Sequence, residues 1–105
     1  MDLCKVTLLG VVGADPRTSE GDGGPTAVLR LAINRAERDR KTGALLKTTD
    51  WHAVVTVGKL AEVVGKYVRK GARLYVEGTL RATKEKGVDV LAHNLIMLGS
   101  ARKAK

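Results

Sequence analysis

VGKLAEVVGKYVRKG (residues 57–71) is the one interval of this chain whose apolar residues recur at a helical period. Leu60, Val63, Val64, Tyr67 and Val68 stand at i, i+3, i+4, i+7 and i+8, a stripe along one helical face, and this spacing predicts that Tyr67 is a core residue. Lys59, Glu62, Lys66, Arg69 and Lys70 take much of the remaining surface. Arg69 and Lys70 suit a helix C-terminus, where cations meet the partial negative charge of the free carbonyls, and Gly71 is a natural stop. Gly58, just before the stripe, breaks a two-residue period that governs almost everything else.

Outward from this helix the pattern is strand-like on both sides. Residues 3–12 (LCKVTLLGVV) read as a strand with a bend or bulge near Gly10 and Gly13, and Cys4 among them reads as a small buried hydrophobe. Asp15-Pro16 and the run from Glu20 to Pro25 form a turn-rich connection. In residues 26–34, Ala27, Leu29, Leu31 and Ile33 share one face, and Val28, Arg30, Ala32 and Asn34 the other. Residues 35–48 are polar and charged around Lys41-Thr42-Gly43, a long hairpin arm, and residues 49–57 (TDWHAVVTV) form the third strand. After the helix, residues 72–83 alternate, with Leu74, Val76 and Leu80 inward and Arg73, Tyr75, Glu77, Thr79 and Arg81 outward. Lys86-Gly87 turns the chain into a last strand, 88–98, which is apolar on both faces: Val88, Val90, Ala92 and Ile96 against Leu91, Leu95 and Met97. That surplus exceeds what one small barrel needs inside and predicts self-association. The order β-β-β-α-β-β, all-β with one helix between the third and fourth strands, is that of the OB-fold, a five-stranded Greek-key barrel that commonly holds oligonucleotides on an open face.

Composition narrows the function classes. The 105 residues fit a single domain, 1–99, followed by a short basic tail, 100–105. Nineteen Lys and Arg against eleven Asp and Glu leave a net charge of +8, which points to a polyanionic partner. The aromatics are only Trp51, Tyr67 and Tyr75, an unusual shortage for a protein that stacks on bases. No apolar run approaches the ~18 residues of a membrane span, and the N-terminus lacks the pattern of a signal peptide. The lone Cys4 offers neither a disulfide nor a metal-ligand spacing, so the expectation is a cytoplasmic protein with no cofactor and no metal. No nucleophile triad, paired-carboxylate motif or phosphate-cradling loop is readable; Gly21–Gly24 precedes a strand, not a helix. The chain is therefore not expected to be an enzyme.

Five motifs in register carry a family resemblance: GADP (13–16), TDWH (49–52), VGKLAEVVGKYVRKG (57–71), LYVEGTL (74–80) and HNLIMLG (93–99). Together they closely resemble the bacterial and mitochondrial single-stranded DNA-binding proteins over roughly residues 3–99. The resemblance implies an OB-fold that assembles as a homotetramer or sometimes a dimer, with single-stranded DNA wrapped across its faces without sequence preference. It implies a nucleoid-associated location in bacteria and roles in replication, recombination or repair, with proteins of those processes as further partners. The family's DNA-facing aromatics correspond here to Glu37, Trp51, Val57 and Glu85, of which only Trp51 is aromatic. The hairpin between the fourth and fifth strands is short, about Lys84–Gly87, and the chain ends SARKAK where the family typically has an acidic tail that recruits partners.

The resemblance ranks the site residues. Trp51 either stacks on a base or fills a barrel end; it shares a strand face with Val57, and the family turns that face toward DNA. The basic residues fall on the hairpin arm, around the helix ends, and on the last hairpin, the third group being Arg81, Lys84 and Lys86. From these, Arg35, Arg40, Lys59, Lys70, Arg81 and Lys84 are expected to neutralise phosphates, because similar proteins place cations near those positions. His52, opposite in face to Trp51, is expected at a subunit contact, as is the outward Tyr75; His93 is expected to be structural. The leading expectation is a sequence-independent single-stranded DNA binder with strong salt dependence. The alternative is an accessory protein resembling the primosomal replication proteins, whose main role is protein assembly at replication restart with modest DNA affinity. An RNA-binding OB module is the third.

Overall fold

The computed structural model describes residues 2–21, 23–84 and 87–100, the last without its side chain. Its elements are β1 (Val6–Val12), β2 (Arg17–Gly21), β3 (Gly24–Arg38), β4 (Leu45–Val57), α1 (Lys59–Tyr67), β5 (Ala72–Thr83) and β6 (Gly87–Ser100). The strands run in the order β1-β5-β6-β4-β3-β2, and a β1–β3 pairing (Val11 with Ala32, Val12 with Leu31) closes the sheet into a barrel. β4 and β6 run parallel at Val54–Val90; the other pairings are antiparallel. This is the OB-fold, with six strands rather than five. The extra strand is β2, in what reads as a turn-rich connection: its five residues, all exposed, give no apolar alternation, yet they pair with the start of β3 from Arg17–Val28 to Gly21–Gly24.

Inward-facing residues make the core as the alternation predicts. Leu8, Val12, Ala27, Leu29, Leu31, Val54, Leu74, Val76, Val90 and Ala92 are buried. The buried hydroxyl of Thr56 donates to the Ala27 carbonyl at 2.9 Å, so its polar atom enters the core without an unmade hydrogen bond. In β6 the strict alternation fails: Glu77 pairs with Asn94 but Gly78 pairs with Ala92. His93 is thus the extra residue of a β-bulge, and the inward set passes from Val90 and Ala92 to Leu95.

Helix α1 packs onto the barrel through Ala61, Val64 and Val68. This corrects the place of Tyr67, which is 61 % exposed: the buried side is centred between Ala61 and Val64, and Tyr67 falls on its flank at the last helical residue, with Lys66 Nζ 5.9 Å from its ring centroid. The helix also ends earlier than Gly71. Arg69 donates to the carbonyls of Gly65 and Val68 at 3.0 and 2.7 Å, and Gly71, at φ +93°, occupies the position that needs positive φ in the turn closed by Ala72 N–H to the Arg69 carbonyl. Cys4 is exposed rather than buried: it precedes β1, and its Sγ lies 3.7 Å from the Leu80 carbonyl. Leu80 itself keeps its inward parity but lies where β5 has outrun the barrel, and it is 46 % exposed.

Two hairpins project from the barrel, giving extents of 53 × 45 × 25 Å. In the longer one, β3–β4, residues 34–38 and 45–49 are all exposed. Asp39 organises its tip, accepting from Lys41 N–H at 3.1 Å and the Thr42 hydroxyl at 3.0 Å. Glu85, Lys86 and residues 101–105 of the tail lie outside the described residues.

Candidate nucleic-acid interface

On the outer face of β4, Trp51, Ala53, Val55 and Val57 follow one another at every second residue, paired with Ala32, Arg30, Val28 and Thr26 of β3. Trp51 is 51 % exposed. Its ring reaches across β3 to the end of β1, where it closes against Gly13: a Cβ there would lie 2.3 Å from ring atom Cζ3. Glycine is therefore required at 13 if the indole is to lie where it does. A large aromatic seated on one side by backbone and open on the other has what a base needs to stack on. Val57, 51 % exposed, ends the same row beside Lys59.

The expected cations divide in two. Among the described residues, Arg40, Lys59, Lys70 and Lys84 are exposed and in no ion pair, Arg40 next to the arm's tip and Lys59 at the first residue of α1. The backbone of Lys70 is tied down, its N–H donating to Asp15 Oδ1 at 2.8 Å. Arg35 and Arg81 are different. Arg35 donates to Asp50 through Nε at 2.7 Å and also bonds Glu37; Arg81 holds Asp89 in a two-point contact at 2.9 and 3.1 Å. The hydrogen bond from Arg35, ahead of its charge, holds the Asp50 carboxyl below the usual carboxylate range; the Asp50 bond and charge in turn raise Arg35. Asp89 acts likewise on Arg81.

His52 is half-buried on the opposite side of β4 from Trp51, paired across to Leu31. Tyr75 points outward, half-buried, with Leu9 beside it on β1 and Ile96 on β6. Its hydroxyl donates to Glu77 at 2.6 Å, which, with a bond from Asn94, lowers the Glu77 carboxyl pKa. His93 Nε2 lies 2.8 Å from the Thr79 hydroxyl across the bulge. Two further cations share this outer face and are not among the expected ones: Arg30, opposite Ala53, and Arg17 on β2, opposite Val28. The outward parity of Arg30 is legible in residues 26–34; Arg17 stands in a segment with no readable period.

A closed OB barrel with a half-exposed aromatic on its outer face, and unpaired cations at the arm, the helix and the last hairpin, has the features that a single-strand-binding protein needs. The sequence matches the Single-strand binding protein family over residues 3–97, and the chain belongs to that family. It is similar to the Plasmodium falciparum SSB solved in complex with ssDNA, at 33% identity and a TM-score of 0.81, covering 93% of this chain and 96% of that one. It is similar also to the single-stranded DNA binding protein from Thermus aquaticus, solved as a deletion mutant, at 31% identity and a TM-score of 0.78, covering 91% of this chain and 50% of that one. A small single-stranded DNA-binding protein from Streptomyces coelicolor shares the fold at 22% identity, with a TM-score of 0.77 over 92% of this chain and 94% of that one.

Proposed function

We propose that this protein binds single-stranded DNA without sequence preference and without catalysis, protecting or organising it in replication, recombination or repair. The observation that carries the reading is Trp51, lying against Gly13 and half exposed in a row that ends at Val57, two residues before Lys59. Stacking supplies an anchor that every base satisfies, and Arg40, Lys59, Lys70 and Lys84 supply phosphate contacts through counterion release. With aromatic side chains missing at Glu37 and Val57, electrostatics carry more of the affinity, so salt dependence is steep. Nothing favours the accessory-protein reading over this one. Titrating Trp51 fluorescence with dT oligomers of several lengths from low to high salt tests the proposal. Quenching with a strongly negative slope of log K against log salt is expected; affinity indifferent to salt, or no quenching at saturation, defeats it. Competition with a matched RNA oligomer decides between the polymers.

The working unit is a homo-oligomer, a tetramer or else a dimer. Leu9, Tyr75 and Ile96 form an apolar row across β1, β5 and β6, with Leu9 and Ile96 exposed by 48% and 47% in the single chain. The edge of β1 facing away from β5 is free over Val6–Leu9 among the described residues, and a free edge beside an apolar face invites a second copy. His52 belongs to the contact by family resemblance. The reading also implies a cytoplasmic, nucleoid-associated protein. Light scattering gives the state, and a monomer at working concentration excludes the assembly.

A further inference from the structure

A groove of about 500 Å³ opens between the β1–β2 connection and the outer face of β3 and β4, reaching Ala53, two residues along β4 from Trp51. Ala14, Asp15, Arg17, Val28, Arg30 and Ala53 line it. That volume is within the ~300–1,000 Å³ typical of small-molecule sites. We infer that this groove holds the nucleotide next to the one stacked on Trp51, its base on the apolar floor of Val28 and Ala53 and its flanking phosphates on Arg17 and Arg30. The inference rests on the single-strand-binding reading above and adds a second subsite to it.

Register supplies the spacing. Ala53 is two residues from Trp51 on the same face of β4, about 7 Å along the strand. That is close to one backbone step of an extended single strand. Arg30 stands directly opposite Ala53, and Arg17 directly opposite Val28, so both guanidinium groups flank the floor. Unlike those of Arg35 and Arg81, neither guanidinium has an ion pair or hydrogen bond among the described residues, so no carboxylate must be displaced before a phosphate binds. A planar guanidinium suits phosphate through two parallel donors. The one acid in the wall, Asp15, already accepts the Lys70 N–H at 2.8 Å, and Gly13 N–H donates to the Arg30 carbonyl at 3.0 Å. Both bonds pin the β1–β2 connection, so the groove stands open before any strand arrives. The side chain of Ala53 is small enough to leave it so.

The test compares Arg17→Gln/Arg30→Gln with Lys41→Gln/Lys66→Gln, which removes the same charge away from the groove. Each is titrated with a dT oligomer by Trp51 fluorescence over a range of salt. Losing two phosphate contacts makes the slope of log K against log salt shallower by about 1.4 and weakens binding about 25-fold at 0.1 M, with quenching at saturation kept. The control pair is expected to lose less than about a fifth of that slope change. Arg30→Lys keeps the slope, and Ala53→Glu, which puts a carboxylate into the groove with both arginines present, weakens binding as the double variant does. If the groove pair and the control pair lose the same affinity and slope, or if Ala53→Glu binds like the unaltered protein, the subsite is overturned while the function stands. If the unaltered protein fails to bind dT, the function itself is overturned.

Discussion

The outer barrel face around Trp51 and the β3–β4 arm hold similar residue types, and they are organised in opposite ways. On the face, an aromatic lies against the backbone of Gly13, and the Arg17, Arg30 and Lys59 side chains are in no ion pair among the described residues. On the arm, Arg35 is taken up by Asp50 and Glu37, and the latter stands where the family has an aromatic. The two regions therefore differ in whether a cation's partner is already inside the molecule.

The sharpest test of the comparison is to remove the platform. Trp51→Ala should weaken binding to dT by about 1–3 kcal/mol, roughly 5- to 150-fold. Gly13→Val should weaken it comparably with the indole still present, because the new side chain occupies the place of the ring. Binding measured by a labelled oligomer serves for both, since Trp51 fluorescence is altered. If Trp51→Ala binds as the unaltered protein does, the face is not the stacking site.

Next in size is the reverse exchange. Glu37→Trp puts an aromatic back on the arm and releases one of the two acids on Arg35. A gain of about 1 kcal/mol, at the low end for stacking because the arm is solvent-exposed on both sides, is expected from titration with dT oligomers. No gain would mean that the arm does not reach the strand, and that its acids are unrelated to binding.

A third pair of variants isolates charge. Lys59→Gln should lose one phosphate contact, making the salt slope shallower by about 0.7 and lowering affinity about fivefold at 0.1 M. Glu37→Gln/Asp50→Asn should do the opposite by freeing Arg35, steepening the slope by a similar ~0.7. Little stability is at risk, since water screens ion pairs that are this exposed. If the slope stays put when both acids are neutralised, Arg35 faces away from the DNA and its pairing has no bearing on function.

How far each region is legible from sequence follows from the same contrast. The barrel was readable because inward residues such as Leu29, Leu31, Val54 and Val76 alternate, and the helix because Val64 and Val68 recur at its period. Tyr67 was misplaced because an apolar stripe gives the helical face only to within a flank, and the barrel wall decides which residues of it are covered. β2 is not legible in the sequence because an exposed strand has no apolar period; its pairing comes from the hairpin with β3. The bulge at His93 reversed the parity of β6 with no Gly or Pro beside it to announce it. At the site, the face of Trp51 and Val57 follows from a six-residue spacing, but no spacing can tell that Arg35 and Arg81 are bound to carboxylates 15 and 8 residues away across a strand pair.

The smallest effect concerns the arm alone and is read by pH. The hydrogen bond from Arg35 lowers the Asp50 pKa in the folded protein below that of an ordinary aspartate. A depressed folded pKa means that the pair's stabilising contribution is present above the unfolded value and is lost as pH falls through the folded one. At neutral pH Asp50 is therefore ionised and can hold Arg35, and acid removes that charge. NMR of the Asp50 carboxyl should show a midpoint below that of an ordinary aspartate, returning to the ordinary value in Arg35→Gln. A midpoint at or above the ordinary value in the unaltered protein would remove the pair from the solution structure. Repeating the titration with dT bound extends the comparison to the complex: if a phosphate draws Arg35 away from Asp50, the midpoint rises. If it stays low, Arg35 remains with its acids, and the barrel face binds the strand without it.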